Sequence, residues 1–192
     1  MFFQQYYLDC LSHASYMIGD RASGRAVVVD PQRDVSGYLE DARTNGFTIT
    51  HIIETHFHAD FLSGHLELAA QTGALIVYGR SALGRAGFDI LALGDGDHVG
   101  VGSIDLEILE TPGHTPESIC IVVRANGPQP TDWVIAPGTA PGGVLFAGIS
   151  IHPSGPVGRR AFGARSAETW AVTGWTIGAR PTKPGRTARG AV

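Results

Sequence analysis

Two histidines separated by one residue lie in the first chemically informative segment, residues 55–60 (Thr-His-Phe-His-Ala-Asp). The segment follows a predicted strand, and an extended backbone turns His56, His58 and Asp60 toward the same side. Imidazole nitrogens and carboxylate oxygens are the ligands that Zn²⁺ and Fe²⁺ take in hydrolytic and oxygenase sites. Three polar residues on a solvated loop would give the same pattern, but a similar polar cluster recurs further along the chain.

The second cluster is residues 111–118 (Thr-Pro-Gly-His-Thr-Pro-Glu-Ser), directly after another predicted strand. Its histidine, His114, lies in a turn braced by proline and glycine, and a rigid turn fixes a ligand's direction at small entropic cost. Alone, His114 would be interpreted as an ordinary turn residue. Together with the first cluster, it is predicted to be the third ligand of a metal site.

Alternating strand-like and helix-like segments over the first 150 residues are expected to position both clusters. The predicted strands cover residues 4–11, 15–18, 25–30, 48–54, 74–78, 98–101, 104–110 and 119–123. Two helices are predicted, the first capped by Asp34 and ending at Gly46, the second capped by Ser63 and ending at Gly73. Mixed strands with interspersed helices predict a sheet-based α/β sandwich.

The bulk composition favours one globular domain. The chain has 192 residues, of which 43% are hydrophobic and 17% charged, a core-forming balance. Its longest apolar runs are far shorter than the roughly 18 residues that span a bilayer. Residues 1–6 lack a basic region followed by an apolar one. We therefore expect no membrane association, no signal peptide and a cytoplasmic location.

The charge changes sign near residue 150. Residues 1–150 hold 17 acidic and 7 basic residues, whereas residues 151–192 hold 1 acidic and 7 basic ones. From about residue 150 neither period 2 nor period 3.6 is sustained, and Gly, Ala, Arg and Pro dominate. Residues 1–150 are predicted to be one domain and residues 151–192 a flexible basic tail. Residues 182–190 have no interleaved aromatics and no recognisable motif, so binding of nucleic acid by this basic stretch is disfavoured.

The two clusters resemble the metallo-β-lactamase superfamily, and within it the glyoxalase II/persulfide dioxygenase branch. The resemblance is strongest to bacterial persulfide dioxygenases, including those fused to rhodanese domains. Residues 12–16, 29–34 and 63–68 support it, and it covers about residues 3–148. It implies an αββα sandwich with metal at one edge of the sheets, whose C-terminal part is truncated or divergent in this chain.

The resemblance also implies roles for individual residues. His56, His58 and His114 match the histidines that bind the first metal, and Asp60 is expected to orient a ligand or a water. The superfamily's fuller motif, H-x-H-x-D-H, ends in a histidine that helps to bind a second metal, and Phe61 occupies that position. Because a phenyl ring cannot coordinate a metal, a mononuclear Fe(II) site is favoured over a dinuclear zinc site.

The other polar residues near the clusters are given less weight. Asp30 ends a strand near the expected site, where support of the loop is favoured over a direct functional role. An ordinary surface or hydrogen-bonding role is favoured for the remaining histidines considered, which are His13, His51, His65 and His98. Of these, His65 is the strongest functional candidate, because it lies one helical turn beyond the ligand loop.

The family pattern breaks at its last ligand. The family supplies an aspartate in a Gly-Asp-Thr/Ser-Leu-Phe segment, and the matching residues 144–151 of this chain read Val-Leu-Phe-Ala-Gly-Ile-Ser-Ile. Ile149 therefore occupies the position of the aspartate. An isoleucine cannot replace a carboxylate, so we expect weaker metal binding.

Three functional hypotheses follow. The first is a persulfide dioxygenase-like enzyme that uses Fe(II) to oxidise a small thiol persulfide, such as glutathione persulfide, with a rhodanese as a candidate partner. The second is a glyoxalase II-like thioesterase that uses Zn(II) to hydrolyse a thioester, which Phe61 disfavours. The third is an inactive, truncated or frame-shifted relative, which Ile149 and the tail favour.

A frame shift makes a direct prediction about the gene. Residues 157–166 resemble the family's Val-Gly-Arg-Pro-Asp-Leu-Arg-Gly-Ser after the loss of one base, and the basic Gly/Ala/Arg/Pro bias suits out-of-frame translation of a GC-rich gene. Resequencing codons 145–170 is then expected to reveal one additional base that restores the family sequence. An intact frame through these codons would reject the hypothesis.

Overall fold

The computed structural model describes residues 1–11, 13–125, 131–135, 147–149, 170–172 and 175–177. The chain divides into one compact unit over Met1–Ser150 and another over Ile151–Val192. In the second unit, β12 (Trp170–Val172) pairs antiparallel with β13 (Trp175–Ile177), within the segment predicted to be a flexible tail. Residues 157–166, on which the frame-shift hypothesis depends, lie outside the described residues. The division into a domain and a tail stays a prediction.

Two sheets form the first unit. The six-stranded sheet has the order β1 (Phe2–Leu8), β2 (His13–Asp20), β3 (Arg25–Val29), β4 (Thr48–Ile53), β5 (Leu75–Gly79) and β6 (Leu91–Leu93). Strands β1 to β3 are antiparallel, and β3 to β6 are parallel. The five-stranded antiparallel sheet has the order β11 (Ala147–Ile149), β10 (Thr131–Ile135), β9 (Ile119–Ala125), β8 (Ile104–Glu110) and β7 (His98–Val101).

Alternating side chains of the first sheet separate two hydrophobic cores. In β3, Val27 and Val29 pack between the two sheets, whereas Ala26 and Val28 pack beneath the helices. Successive side chains of a strand point to opposite faces. A strand buried on both faces therefore has the uninterrupted apolar sequence found at residues 26–29.

Two helices, α1 (Ser36–Asn45) and α2 (His65–Thr72), cover the outer face of the first sheet. They connect β3 to β4 and β4 to β5. Because these three strands are parallel, the segments that follow β3 and β4 emerge at the same edge of the sheet. No helix among the described residues is long and apolar enough to cross a membrane.

The predicted elements differ from the structure mainly at their ends. The first predicted strand stops at Leu8, and a 3-10 turn covers Asp9–Leu11. The helix caps are Val35 and Gly64 rather than Asp34 and Ser63. Strands β6, β10 and β11 were not predicted; β6 and β11 have three residues each, which carry too little periodicity to be recognised.

A buried carboxylate joins the two sheets away from the metal-site loops. Asp20, at the end of β2, accepts hydrogen bonds from the main-chain N–H of Ser23 (3.2 Å) and of Ser103 (3.1 Å), the latter between β7 and β8. Gly102 adopts a left-handed φ of 62°, and a Cβ there would collide with the Asp20 carboxylate. The hydrogen bonds from Ser103 and Ser23 lower the pKa of Asp20 to about 2.

Replacing this carboxylate should destabilise the fold in a pH-dependent way. Asp20→Asn is expected to lower the free energy of unfolding at pH 7 by roughly 1–2 kcal/mol, because the anion loses charge-assisted hydrogen bonds. The folded pKa lies below the unfolded value of about 3.8. The difference between wild type and variant should therefore be complete above pH 4 and disappear as the pH falls toward 2. Urea unfolding at several pH values measures it, and a difference that is constant with pH would contradict the assignment.

Candidate metal centre

Three segments meet at one edge of the two sheets. They are Asp30 after β3, residues 54–63 after β4, and residues 111–118 between β8 and β9. Main-chain bonding joins the two longer segments, since the Ile119 N–H donates to the Thr55 carbonyl at 2.9 Å. The two sequence clusters, about 55 residues apart in the chain, are therefore held side by side.

Asp30 is the anchor of the loop after β4. Its carboxylate is buried and accepts hydrogen bonds from the main-chain N–H of Thr55 (2.7 Å) and from the Thr55 hydroxyl (2.8 Å). Its φ of 48° is left-handed, a conformation that aspartate tolerates better than most residues. Burial would raise the pKa of Asp30, but His58 and Thr55 lower it. The sequence interpretation favoured support of the loop for Asp30, and its hydrogen bonds provide that support.

The same hydroxyl fixes the tautomer of His56. Thr55 Oγ1 lies 3.0 Å from His56 Nδ1 and already donates its one proton to ionised Asp30. It can therefore only accept, so His56 Nδ1 carries the hydrogen and Nε2 keeps its lone pair. Burial, followed by the charge of His58, lowers the pKa of His56 to about 4. His56 is thus neutral with Nε2 available as a ligand, the state in which imidazole binds a metal.

The three predicted ligands form a cluster around His56. Its ring centroid lies 4.1 Å from that of His58 and 4.7 Å from that of His114. His56 is buried and His114 is exposed, which places His114 on the solvent side of the cluster. Imidazole nitrogens are ligands of Zn²⁺ and Fe²⁺. Among the described residues, the donor atoms gathered within 4.8 Å of one another are those of Asp30, Glu54 and His58.

His58 uses its two ring nitrogens differently. Nε2 lies 3.1 Å from Asp30 Oδ1 and 3.2 Å from Glu54 Oε2. Nδ1, on the opposite side of the ring, lies 3.9 Å from Asp60 Oδ1. Burial alone would lower the pKa of His58, but Asp30 and Glu54 raise it to about 10. A carboxylate behind a ligand histidine orients the ring and strengthens its donor nitrogen.

Of the two remaining residues of the motif, Asp60 is exposed and Phe61 packs against histidine rings. The Asp60 side chain is 69% exposed, so it can reach a molecule that approaches from solvent. The Phe61 ring packs 4.3 Å from the ring of His58 and 3.8 Å from that of His13. Phe61 therefore places an apolar surface where the superfamily motif has a metal ligand.

A cleft of about 150 Å³ opens beside these residues. Its apolar lining consists of Phe57, Phe61, Leu62, Tyr78 and Phe88. Its polar lining consists of Glu54, His58, Ser63 and His65. The combination of aromatic walls and a few converging polar groups is typical of a small-molecule site.

Two buried glutamates at this edge were missed by the sequence analysis. Glu54 is fully buried and accepts a hydrogen bond of 2.6 Å from Ser63 Oγ. Glu117 accepts hydrogen bonds from the main-chain N–H of Phe57 (3.0 Å) and from Arg85 (2.6 Å). The recognisable signal was an acid directly after two buried isoleucines in β4, since buried carboxylates are rare unless they are paired.

The position of Ile149 follows from the register of the second sheet. Ile149 in β11 pairs with Asp132 of β10, which pairs with Arg124 of β9. The metal-site edge lies at the other end of β9, at Ile119. Five residues of strand separate these ends, about 16 Å. The main chain at Ile149 is therefore distant from the histidine cluster.

Comparisons with known proteins agree with this fold and site. Residues 8–127 match the sequence profile of the metallo-beta-lactamase superfamily. A hydroxyacylglutathione hydrolase of Rhodospirillum rubrum is 38% identical over 101 residues, which is 52% of this chain. A metallo-beta-lactamase of Staphylococcus aureus superposes with a TM-score of 0.60 at 43% identity, and ETHE1 of Myxococcus xanthus with 0.59 at 32% identity, each over 64% of this chain.

The chain belongs to the metallo-β-lactamase superfamily. Within it, the chain is similar to a hydroxyacylglutathione hydrolase and to ETHE1. These findings confirm the fold and the family expected from the two motifs. The chain spans 39% of the length of the Rhodospirillum hydrolase, and 38% and 54% of the two solved structures.

The register of β11 predicts that restoring the family residue will not restore the ligand. Ile149→Asp should leave the affinity for Zn²⁺ within about twofold of wild type, because the position is about 16 Å along the sheet from the cluster. Competitive titration with a fluorescent chelator measures the affinity. A tenfold gain in affinity would show that residue 149 reaches the metal and that the register of β11 is different.

Proposed function

We propose that this chain is a metal-dependent, persulfide dioxygenase-like enzyme that oxidises a small thiol persulfide, such as glutathione persulfide, to sulfite and the free thiol. Persulfide, O₂ and water together balance these products. The observation that carries the proposal is the single histidine cluster, in which Phe61 replaces a ligand of a second metal. The likeness to ETHE1 of Myxococcus xanthus supports it.

In this proposal His56, His58 and His114 hold one Fe(II) ion, with Zn(II) as the alternative metal. Iron supplies the redox chemistry with O₂ when it is bound. His56 contributes Nε2 as a neutral donor, because Thr55 fixes its tautomer. Asp30 and Glu54 orient His58 from behind. Fixing the tautomer and the ring orientation in this way prepares a ligand before any substrate arrives.

Phe61 and Asp60 are assigned different tasks at the substrate side. The apolar ring of Phe61, packed against His58, excludes water from one side of the cluster and gives a persulfide sulfur a matching surface. Asp60 is proposed to be catalytic: its exposed carboxylate lies near His58 and can orient a ligand or hold a proton of the bound substrate. A rhodanese is the proposed supplier of the persulfide.

A zinc thioesterase of the glyoxalase II type is the second candidate. Its support is the 38% identity to the Rhodospirillum hydroxyacylglutathione hydrolase. Hydrolysis needs an activated water, and the apolar Phe61 beside His58 is unfavourable to it. An inactive relative is the third candidate, supported by Ile149 in place of the expected aspartate.

One set of assays on the purified full chain separates the three candidates. We expect bound iron by elemental analysis, O₂ uptake with glutathione persulfide, and no hydrolysis of S-lactoylglutathione. His56→Ala should reduce O₂ uptake by more than about 100-fold, since even loss of an outer partner of a metal ligand costs about 10- to 100-fold.

The control is His98→Ala, an exposed histidine of β7 that contacts Asp105 at 2.8 Å. It should retain wild-type O₂ uptake. Bound zinc with thioester cleavage would favour the zinc thioesterase. The absence of both activities would favour the inactive relative. O₂ uptake that survives His56→Ala would refute the proposed site.

A further inference from the structure

Unpartnered polar atoms gather around His58. They are both ring nitrogens of His13, both ring nitrogens of His65, and Oε2 of Glu54, all buried without a hydrogen-bond partner in the described part of the chain. His13 is 8% exposed, and its ring lies edge-on to that of His58 at 6.0 Å. Buried polar atoms without partners are costly, and proteins keep them where a function uses them.

The hydrogen-bond geometry of His58 explains why Glu54 Oε2 has no hydrogen-bond donor. Nε2 carries one hydrogen, which is directed at Asp30 Oδ1 at 3.1 Å. Glu54 Oε2 lies 3.2 Å from the same nitrogen without hydrogen-bond geometry. One N–H therefore faces two buried carboxylates and satisfies only one of them.

The two carboxylates of this cluster are buried beside imidazoles. Within the described residues, the ion-pair partners of Asp30 and Glu54 are the histidines His58 and His65. The side chains of Asp30 and Glu54 are 2% and 0% exposed. Carboxylates buried this deeply need close partners, and a divalent cation binds carboxylate oxygens directly.

The spacing of the donor atoms suits such a cation. Ligand atoms of Asp30, Glu54 and His58 all lie within 4.8 Å of one another. Two ligands about 2.1 Å from one ion, at tetrahedral or octahedral angles, are about 3.0–3.4 Å apart. The separations of 3.1 and 3.2 Å from His58 Nε2 fall in this range. His65 Nδ1, 3.4 Å from Glu54 Oε1, is in position to be a fourth donor.

We propose that Asp30, Glu54, His58 and His65 form a second site for a first-row divalent cation, which shares only His58 with the cluster of His56, His58 and His114. Two carboxylates and two imidazoles are a donor set that Fe²⁺, Mn²⁺ and Zn²⁺ accept. On binding the ion, His58 gives up its Nε2 hydrogen to solvent and offers Nε2 to the inner site; as a bridging imidazolate it still has Nδ1 for the other cluster. The inner site differs from the superfamily's second-metal position, which Phe61 occupies, and it does not require the proposed activity.

Titration of the chelator-treated full chain with Co²⁺ tests the proposal, with calorimetry giving the stoichiometry and visible absorption the coordination. Wild type should bind two ions per chain. Glu54→Gln, which keeps the shape of the side chain, should bind one, or bind the second at least tenfold more weakly. His56→Ala should lose the other ion and keep the inner one. Glu67→Gln, on the exposed side of α2, is the control and should bind two.

The outcomes separate the inner site from the proposed enzyme. If wild type binds one ion, and His56→Ala removes that ion while Glu54→Gln does not, the inner site alone is overturned. One ion that only Glu54→Gln removes would support the inner site and count against the histidine cluster. Should Glu54→Gln fail to fold by circular dichroism, His65→Asn takes its place, with a loss of at least tenfold in the affinity for the second ion expected. Unchanged binding of the second ion by His65→Asn, or no Co²⁺ binding by wild type, would overturn the proposal.

Discussion

The carboxylate of Asp30 holds the metal-binding edge together. It receives the main-chain N–H and the hydroxyl of Thr55 and the Nε2–H of His58. These bonds join the end of β3 to the loop after β4, and that loop carries two of the three predicted ligands. The left-handed φ of Asp30 turns the chain at the end of its strand. This conformation is strained for a residue other than glycine, and the hydrogen bonds that fix the loop offset the strain.

The Asp30 carboxylate determines the tautomer of His56 through the Thr55 hydroxyl. Because ionised Asp30 accepts the hydroxyl proton, the hydroxyl accepts from His56, and His56 keeps a lone pair on Nε2. His58 is controlled by the same carboxylate together with Glu54. The protonation of both histidines is therefore decided by buried groups that need not touch a substrate. Outer partners of this kind set ligand direction and donor strength in metal sites.

The second sheet contributes differently, by bringing in His114 and by closing the edge. The N–H of Ile119 bonds the Thr55 carbonyl, and Glu117 receives the N–H of Phe57. Gly79 allows this approach, since a Cβ there would collide with the Glu117 carbonyl. Strand β11 brings no ligand to this edge, because its register places Ile149 away from it.

The sequence alone determined the family, the α/β order of the elements and the three clustered histidines. Motifs 55–60 and 111–118 are short, continuous segments of the sequence. The apolar strands β3 and β9 and the glycines that end both helices are likewise recognised from neighbouring residues in the chain. Strand β6 escaped prediction, because three residues hold too little pattern.

Only the tertiary structure decided how the buried polar groups are paired. Glu54 appeared as an acid at a strand end, and His13 as an ordinary histidine, until the fold placed both beside His58. The register that removes Ile149 from the edge likewise depends on which strands pair. Pairing and burial join residues far apart in the chain, and no local pattern of residue types records them.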